Sequence, residues 1–234
     1  MDREHHDILR DEAPGIAPAV VSHPSLTVPR AAQLAEGIML GGKRVRSLVF
    51  STDLAVICNC DADAVLAVYP FVCQKAIIHG LLAVPDRPVI TGVGGSLTPP
   101  EKSIRYAAYA HEQGLAGVVV NMTFSVDALR TIARDAGVPL VLTIGELNDE
   151  ARRRIEAGAS VLNVAAGKRT EEVVADVRAA YPEFPLMASG GPTEETAAAT
   201  IAAGAQAISW TPPNIQDLEH ALMKRTRKKA THEE

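Results

Sequence analysis

The sequence predicts an α/β protein folded as a single (β/α)8 TIM barrel. Three observations carry this: a repeated helix, glycine and strand unit, a count of eight such strands, and a length suited to closure. The unit is plainest between Gly114 and Trp210. Gln113-Gly114 leads to Val118-Val119-Val120-Asn121, Ala136-Gly137 to Leu140-Val141-Leu142-Thr143, Ala157-Gly158 to Val161-Leu162-Asn163, and Ala203-Gly204 to Ala207-Ile208-Ser209. An apolar run without polar alternation suits a strand covered on both faces, and a Gly after a helix supplies a left-handed cap. Further strands at Leu48 to Phe50, Val65 to Val68, Val89 to Ile90 and Leu186 to Ala188 bring the count to eight. The chain has 234 residues, close to the roughly 250 usual for such barrels. An open doubly wound sheet is the competing arrangement.

The barrel is expected over residues 25–222. A flexible N-terminal extension, 1–24, mixes charge, Pro and Gly without periodicity, and a basic, polar tail, 223–234, carries Lys224-Arg225-Thr226-Arg227-Lys228-Lys229. Such a run suits the negative end of a helix dipole. Pro29 to Leu40 reads as a leading helix over the barrel floor.

Composition fits one soluble domain. Hydrophobic residues at 47% and charged ones at 22% suffice for a full-sized core. Aromatics at 4% and a net charge of -5 argue against a nucleic-acid partner, since base stacking and a basic field are both lacking. No signal-peptide pattern and no bilayer-length apolar run occur, so a cytoplasmic location without a membrane partner is expected. A homo-oligomer is compatible with all of this. Cys58, Cys60 and Cys73 fit a reducing compartment, and Cys58-Asn59-Cys60 lacks the second pair or spaced His of a zinc site.

In a barrel, chemistry gathers at the C-terminal ends of the strands. Loops one and five lie opposite each other, which nominates Asp53 and Glu146 as an acid and base pair, with Tyr69 as a proton donor. Each acid has a plainer role too: Asp53 as the cap of a helix from Leu54, Glu146 as a solvated loop residue. Asn121, Thr143 and Asn163 are placed to bind or polarise a carbonyl, with Ser189, Gly190, Gly191 and Thr211 completing a substrate site. No strand end carries His, so no metal site is expected. Gly92-Val93-Gly94-Gly95 lacks nicotinamide-motif spacing, and Pro99-Pro100 intervene before the next helix, so no cofactor is expected.

The most specific local signal is Ser189-Gly190-Gly191-Pro192 before a helix, the usual anion corner of such barrels. Phosphate and carboxylate both stay open. Glu194 and Glu195 fall in the first helical turn, and Pro212 and Pro213 on the neighbouring loop lack N–H donors.

The stretch Phe184 to Gly191 with Gly204 resembles the last quarter of phosphate-binding barrels such as 2-keto-3-deoxy-6-phosphogluconate aldolase and thiamine-phosphate synthase. The aldolase places its Schiff-base lysine on strand six, where this chain has Asn163. Lys168 lies five residues further on, beside Arg169. Over roughly Lys43 to Pro213 the chain resembles a bacterial barrel family loosely labelled "hydrolase". The residues carrying that likeness include Ser51-Thr52-Asp53, Asp61 to Phe71, Gly92 to Gly95, Ser189 to Thr193 and Thr211-Pro212-Pro213.

These readings converge on a metal-independent hydrolase or lyase using acid and base chemistry on a small anionic metabolite, phosphorylated or carboxylated. The alternative is a non-catalytic metabolite sensor, similar in fold to glycerol-3-phosphate-responsive antiterminators.

Overall fold

A computed structural model describes residues 26–83, 87–95 and 97–230. An antiparallel hairpin comes first, β1 (Ile38–Leu40) and β2 (Lys43–Val45). The barrel strands follow: β3 (Ser47–Phe50), β4 (Ala64–Ala67), β5 (Val89–Gly94), β6 (Gly117–Asn121), β7 (Leu140–Ile144), β8 (Val161–Val164), β9 (Leu186–Ser189) and β10 (Ala207–Trp210). Between and after them run α1 (Leu54–Cys58), α2 (Lys75–Leu82), α3 (Pro100–Glu112), α4 (Val126–Asp135), α5 (Asp149–Glu156), α6 (Thr170–Ala180), α7 (Glu194–Ala202) and α8 (Ile215–Ala230). Every barrel pair is parallel, and β10 pairs with β3 to close the sheet. The open sheet is thereby excluded. The four glycines of the repeat, Gly114, Gly137, Gly158 and Gly204, all sit at positive φ after their helices.

Strand residues alternate between two cores. Val49, Val118, Leu140, Leu142 and Leu162 pack outward under the helices, while Leu48, Leu66, Ile90, Val119, Val141 and Met187 fill the barrel. The interior cluster also takes in Ile38, Leu40 and Val45, so the hairpin packs with the inward-facing residues.

That hairpin corrects the leading helix expected over Pro29 to Leu40. Helix survives only as one 3-10 segment, Arg30–Leu34. Leu40 pairs with Lys43 across Gly41 and Gly42, at φ 54° and 75°. Two successive positive-φ residues make the tight turn whose twist matches paired strands, and only glycine adopts them without strain. Strand β5 is also longer than its expected span, continuing through Gly94 with a register shift between Gly92 and Gly94.

At the start of the strands, Asp63 accepts bonds from Arg46 N, Ser47 N and Ser47 Oγ at 2.8, 3.0 and 3.1 Å. Asp61 accepts from Val28 N at 2.7 Å. The acids of the Asp61-Ala62-Asp63 stretch therefore tie chain segments together. The extension expected at 1–24 lies outside the described residues, as do the last four of the expected tail; residues 223–230 of that tail belong to α8. No described helix is long and apolar enough to cross a membrane.

Candidate active site

The C-terminal strand ends surround a cavity of about 530 Å³. Its wall has two unlike halves. From β6 round to β10 it presents Asn121, Thr143, Asn163, Ser189 and Ser209, with Thr211 just beyond. From β3 to the loop after β5 it presents Phe50, Val68, Pro70, Phe71 and Leu97. The polar arc follows from the period of two along a strand: each member sits two residues past an interior apolar one, Asn121 past Val119, Thr143 past Val141, Asn163 past Val161, Ser189 past Met187.

The polar side chains hold one another in defined orientations. Asn121 Oδ1 accepts from Thr123 N and Thr123 Oγ1 at 3.0 and 2.7 Å, which leaves its Nδ2 as the donor facing Gly95. Asn163 Nδ2 donates to Thr143 Oγ1 at 3.0 Å. Asn163 is only 5% exposed, and its Oδ1 is buried without a partner. A buried unpaired amide oxygen costs about 1–3 kcal/mol, so this atom is a standing demand for a donor.

Tyr69 follows β4 and so lies within the apolar half, across the barrel from Asn163 on β8. Its hydroxyl accepts the Gln74 N–H at 3.1 Å and is hydrogen-bonded with Cys73. Burial pushes the Tyr69 phenol well above its ordinary range and raises the Cys73 thiol too. Both stay protonated near neutrality, and Cys73 Sγ donates to Gly92 O at 3.4 Å.

Asp53 and Glu146 follow strands on opposite sides of the barrel at the same end, but neither lines the cavity. Asp53 Oδ1 accepts from Ala55 N and Val56 N at 2.8 and 3.3 Å, capping α1. Glu146 is exposed and accepts from Asn148 Nδ2 at 2.5 Å. The expected facing pair is not formed across the pocket, because each carboxylate is turned to its own loop.

The anion corner is likewise filled from within. Gly190 N donates to Ser209 O at 3.1 Å, and a Cβ on Gly191 would meet Thr196 Oγ1 at 2.5 Å. Thr193 and Thr196 cap α7 reciprocally. Glu194 accepts from Arg30 N and Ala31 N at 2.8 and 2.9 Å, anchoring the 3-10 segment; those two bonds hold its carboxyl below the usual range. Gly190 and Gly191 are absent from the cavity wall, whereas Tyr69, Asn121, Thr143, Asn163, Ser189 and Thr211 all line it.

Sequence reasoning missed Ser209, Cys73 and the apolar arc. Ser209 was findable, since it stands two residues beyond interior Ala207 just as Asn163 does beyond Val161. The arc was hidden because strand-end Phe50 and Val68 look like core.

No family model matches the chain, and no curated protein matches it. Solved structures do. A 2,3-dimethylmalate lyase of the PEP mutase/isocitrate lyase superfamily is 15% identical, with TM-score 0.55 over 87% of this chain and 86% of its own. A phosphonopyruvate hydrolase complexed with oxalate and Mg2+ is 10% identical, with TM-score 0.61 over 80% and 83%. A glycerol uptake operon antiterminator regulatory protein from Listeria monocytogenes is 15% identical, with TM-score 0.56 over 73% and 95%. The likeness is one of fold. It supports the TIM barrel and does not support placing the chain among the phosphate-binding barrels.

The Mg2+ of that hydrolase complex raises a test of donors here. Mg2+ is a hard cation held through carboxylates, usually with several waters. The cavity wall offers amide and hydroxyl oxygens and one thiol, and no Asp, Glu or His among the described residues. The described residues also hold no group of three His, Cys, Asp or Glu able to bind a metal. The donor set does not fit this ion.

Proposed function

We propose that this chain is a barrel enzyme of the lyase or hydrolase class that acts on a small carbonyl-bearing metabolite at the strand C-terminal mouth, without a metal ion. One observation carries the reading: Asn121, Thr143 and Asn163 bring hydrogen-bonding groups to one side of a substrate-sized cavity whose wall also holds the protonated Tyr69. Asn121 Nδ2 and the Thr143 hydroxyl are the neutral donors on that side, and donors at a carbonyl oxygen favour the negative charge that builds there when a neighbouring bond is broken or water adds. A phenol kept protonated by burial holds its hydrogen and can donate a hydrogen bond to such an oxygen. The lyases and hydrolases among the structural neighbours support the reaction class, and the lack of carboxylates on the wall supports the metal-independent form. Asp53 and Glu146 stay outside this scheme.

Turnover of a carbonyl-metabolite panel in the presence of EDTA tests the proposal. Activity is expected to survive the chelator, and Tyr69→Phe is expected to lower kcat by about a hundredfold with the fold intact. Turnover that disappears with EDTA and returns with Mg2+ would refute the metal-free reading.

A specific observation favours a second reading. The described wall carries no group that is charged at neutral pH, which suits recognition without chemistry, and an antiterminator regulatory protein is among the neighbours. Saturable binding with no turnover across the panel would select the sensor.

A further inference from the structure

The chemistry of the cavity wall also limits the charge of what enters it. We infer that the occupant is an uncharged molecule with a head group that both donates and accepts hydrogen bonds, joined to an apolar tail; the inference rests on the placement of the ligand at this mouth.

The argument begins with what an anion would meet. No Lys, Arg or His belongs to the described wall. An anion taken from water into such a site needs a counter-charge or a full set of donors. Three main-chain donors near the polar side are already committed. Gly190 N is bonded to Ser209 O, Ala165 N to Ile144 O, and Ala166 N to Thr170 Oγ1.

What the wall does offer is neutral and two-sided. Asn163 Oδ1 needs a donor, while the Thr143 hydroxyl, which already accepts from Asn163, has its hydrogen free to donate. A carboxylate has only acceptors and would face Asn163 Oδ1 with like partial charge. An amide, hydroxy ketone or hydroxy ester satisfies both atoms. The turned-over amide would instead present Nδ2, a donor that suits an acceptor-only head group, so the class depends on Oδ1 being the unpaired atom.

The opposite side supplies the reason for a tail. Phe71 and Leu97 are 68% and 62% exposed, with Phe50 and Val68 beside them on the wall. Apolar atoms placed against these side chains gain burial at about 25 cal/mol per Å². The cavity volume lies within the range of about 300–1,000 Å³ typical of small-molecule sites.

The test uses an isosteric pair, hexanamide and hexanoate, which share a tail and differ in charge and in donor capacity. Binding to the full chain is read by ligand-observed NMR and by the thermal midpoint. Hexanamide is expected to bind saturably and at least about tenfold more tightly than hexanoate, with Asn163→Ala removing that preference. Where Asn163→Ala does not fold, Thr143→Val removes the same contact pair and is expected to do the same. Equal or tighter binding of hexanoate, of oxalate with Mg2+, or of inorganic phosphate overturns the inference, and so does failure of folded protein to bind hexanamide. Since binding is read without turnover, a catalytically silent protein that prefers hexanamide refutes the enzyme and leaves the ligand class standing.

Discussion

At the scale of single residues, the same amino acid type serves chemistry or structure according to the atoms already bonded to it. Asn163 and Thr143 spend one bond on each other and leave the Asn163 Oδ1 buried without a partner beside the cavity that Asn163 lines. Asp53 spends its Oδ1 on two amides of α1. Asp53→Ala is therefore expected to cost about 1 kcal/mol of stability, as loss of a helix N-cap usually does. For a domain of this size that lowers the thermal midpoint by about 2–4 °C. Hexanamide binding should be unchanged in this variant. A large loss of turnover with an unaltered midpoint would instead return Asp53 to the chemistry. Both of its roles were visible in the sequence, and only the coordinates of Ala55 and Val56 chose between them.

Among the elements, the β1–β2 hairpin shows how a local signal is decided by distant packing. Gly41-Gly42 directly after the apolar run Ile38-Met39-Leu40 is a hairpin signal, yet Pro29 to Leu40 also reads as a leading helix. The interior cluster settles the matter by taking Ile38, Leu40 and Val45 alongside Leu48 and Ala64. Gly42 lies at φ 75° with nothing near the position of a Cβ. Gly42→Ala should thus report the backbone cost alone, about 1 kcal/mol by chemical denaturation. Gly190→Ala is expected to cost more, because its Cβ would meet Ile208 Cγ2 at 2.2 Å. Equal costs for the two variants would show that the contact with Ile208 relaxes without strain.

On the scale of the whole molecule, the acids Asp61 and Asp63 and the candidate site occupy opposite ends of the barrel. Asp61 and Asp63 tie segments at the strand starts, whereas the cavity wall at the strand ends holds none of the described carboxylates. It follows that Mg2+ should leave the thermal midpoint of the chelator-treated protein unchanged. A saturable rise with Mg2+, measured by differential scanning calorimetry, would mean that carboxylates outside the wall converge on an ion. Closure of the barrel was legible because it is written locally: a glycine after each helix and an unbroken apolar run for each strand recur down the chain. The strand ends were legible for the same reason, which is why the sequence alone marks Asn121, Thr143, Asn163, Ser189 and Thr211 as rim residues. Which rim residues face inward was not. Asp53, Glu146, Gly190 and Gly191 are turned away or sealed by their neighbours: Ala55 N and Val56 N for Asp53, Asn148 for Glu146, Ser209 O and Thr196 for the glycine corner. The seal on Gly190 comes from the adjacent strand. Sequence by itself determined the barrel and the end that carries the site, because those follow from periodicity along the chain. Tertiary structure alone decided the neutral, half-apolar character of the cavity, because that depends on which hydrogen-bond partners different strands bring together.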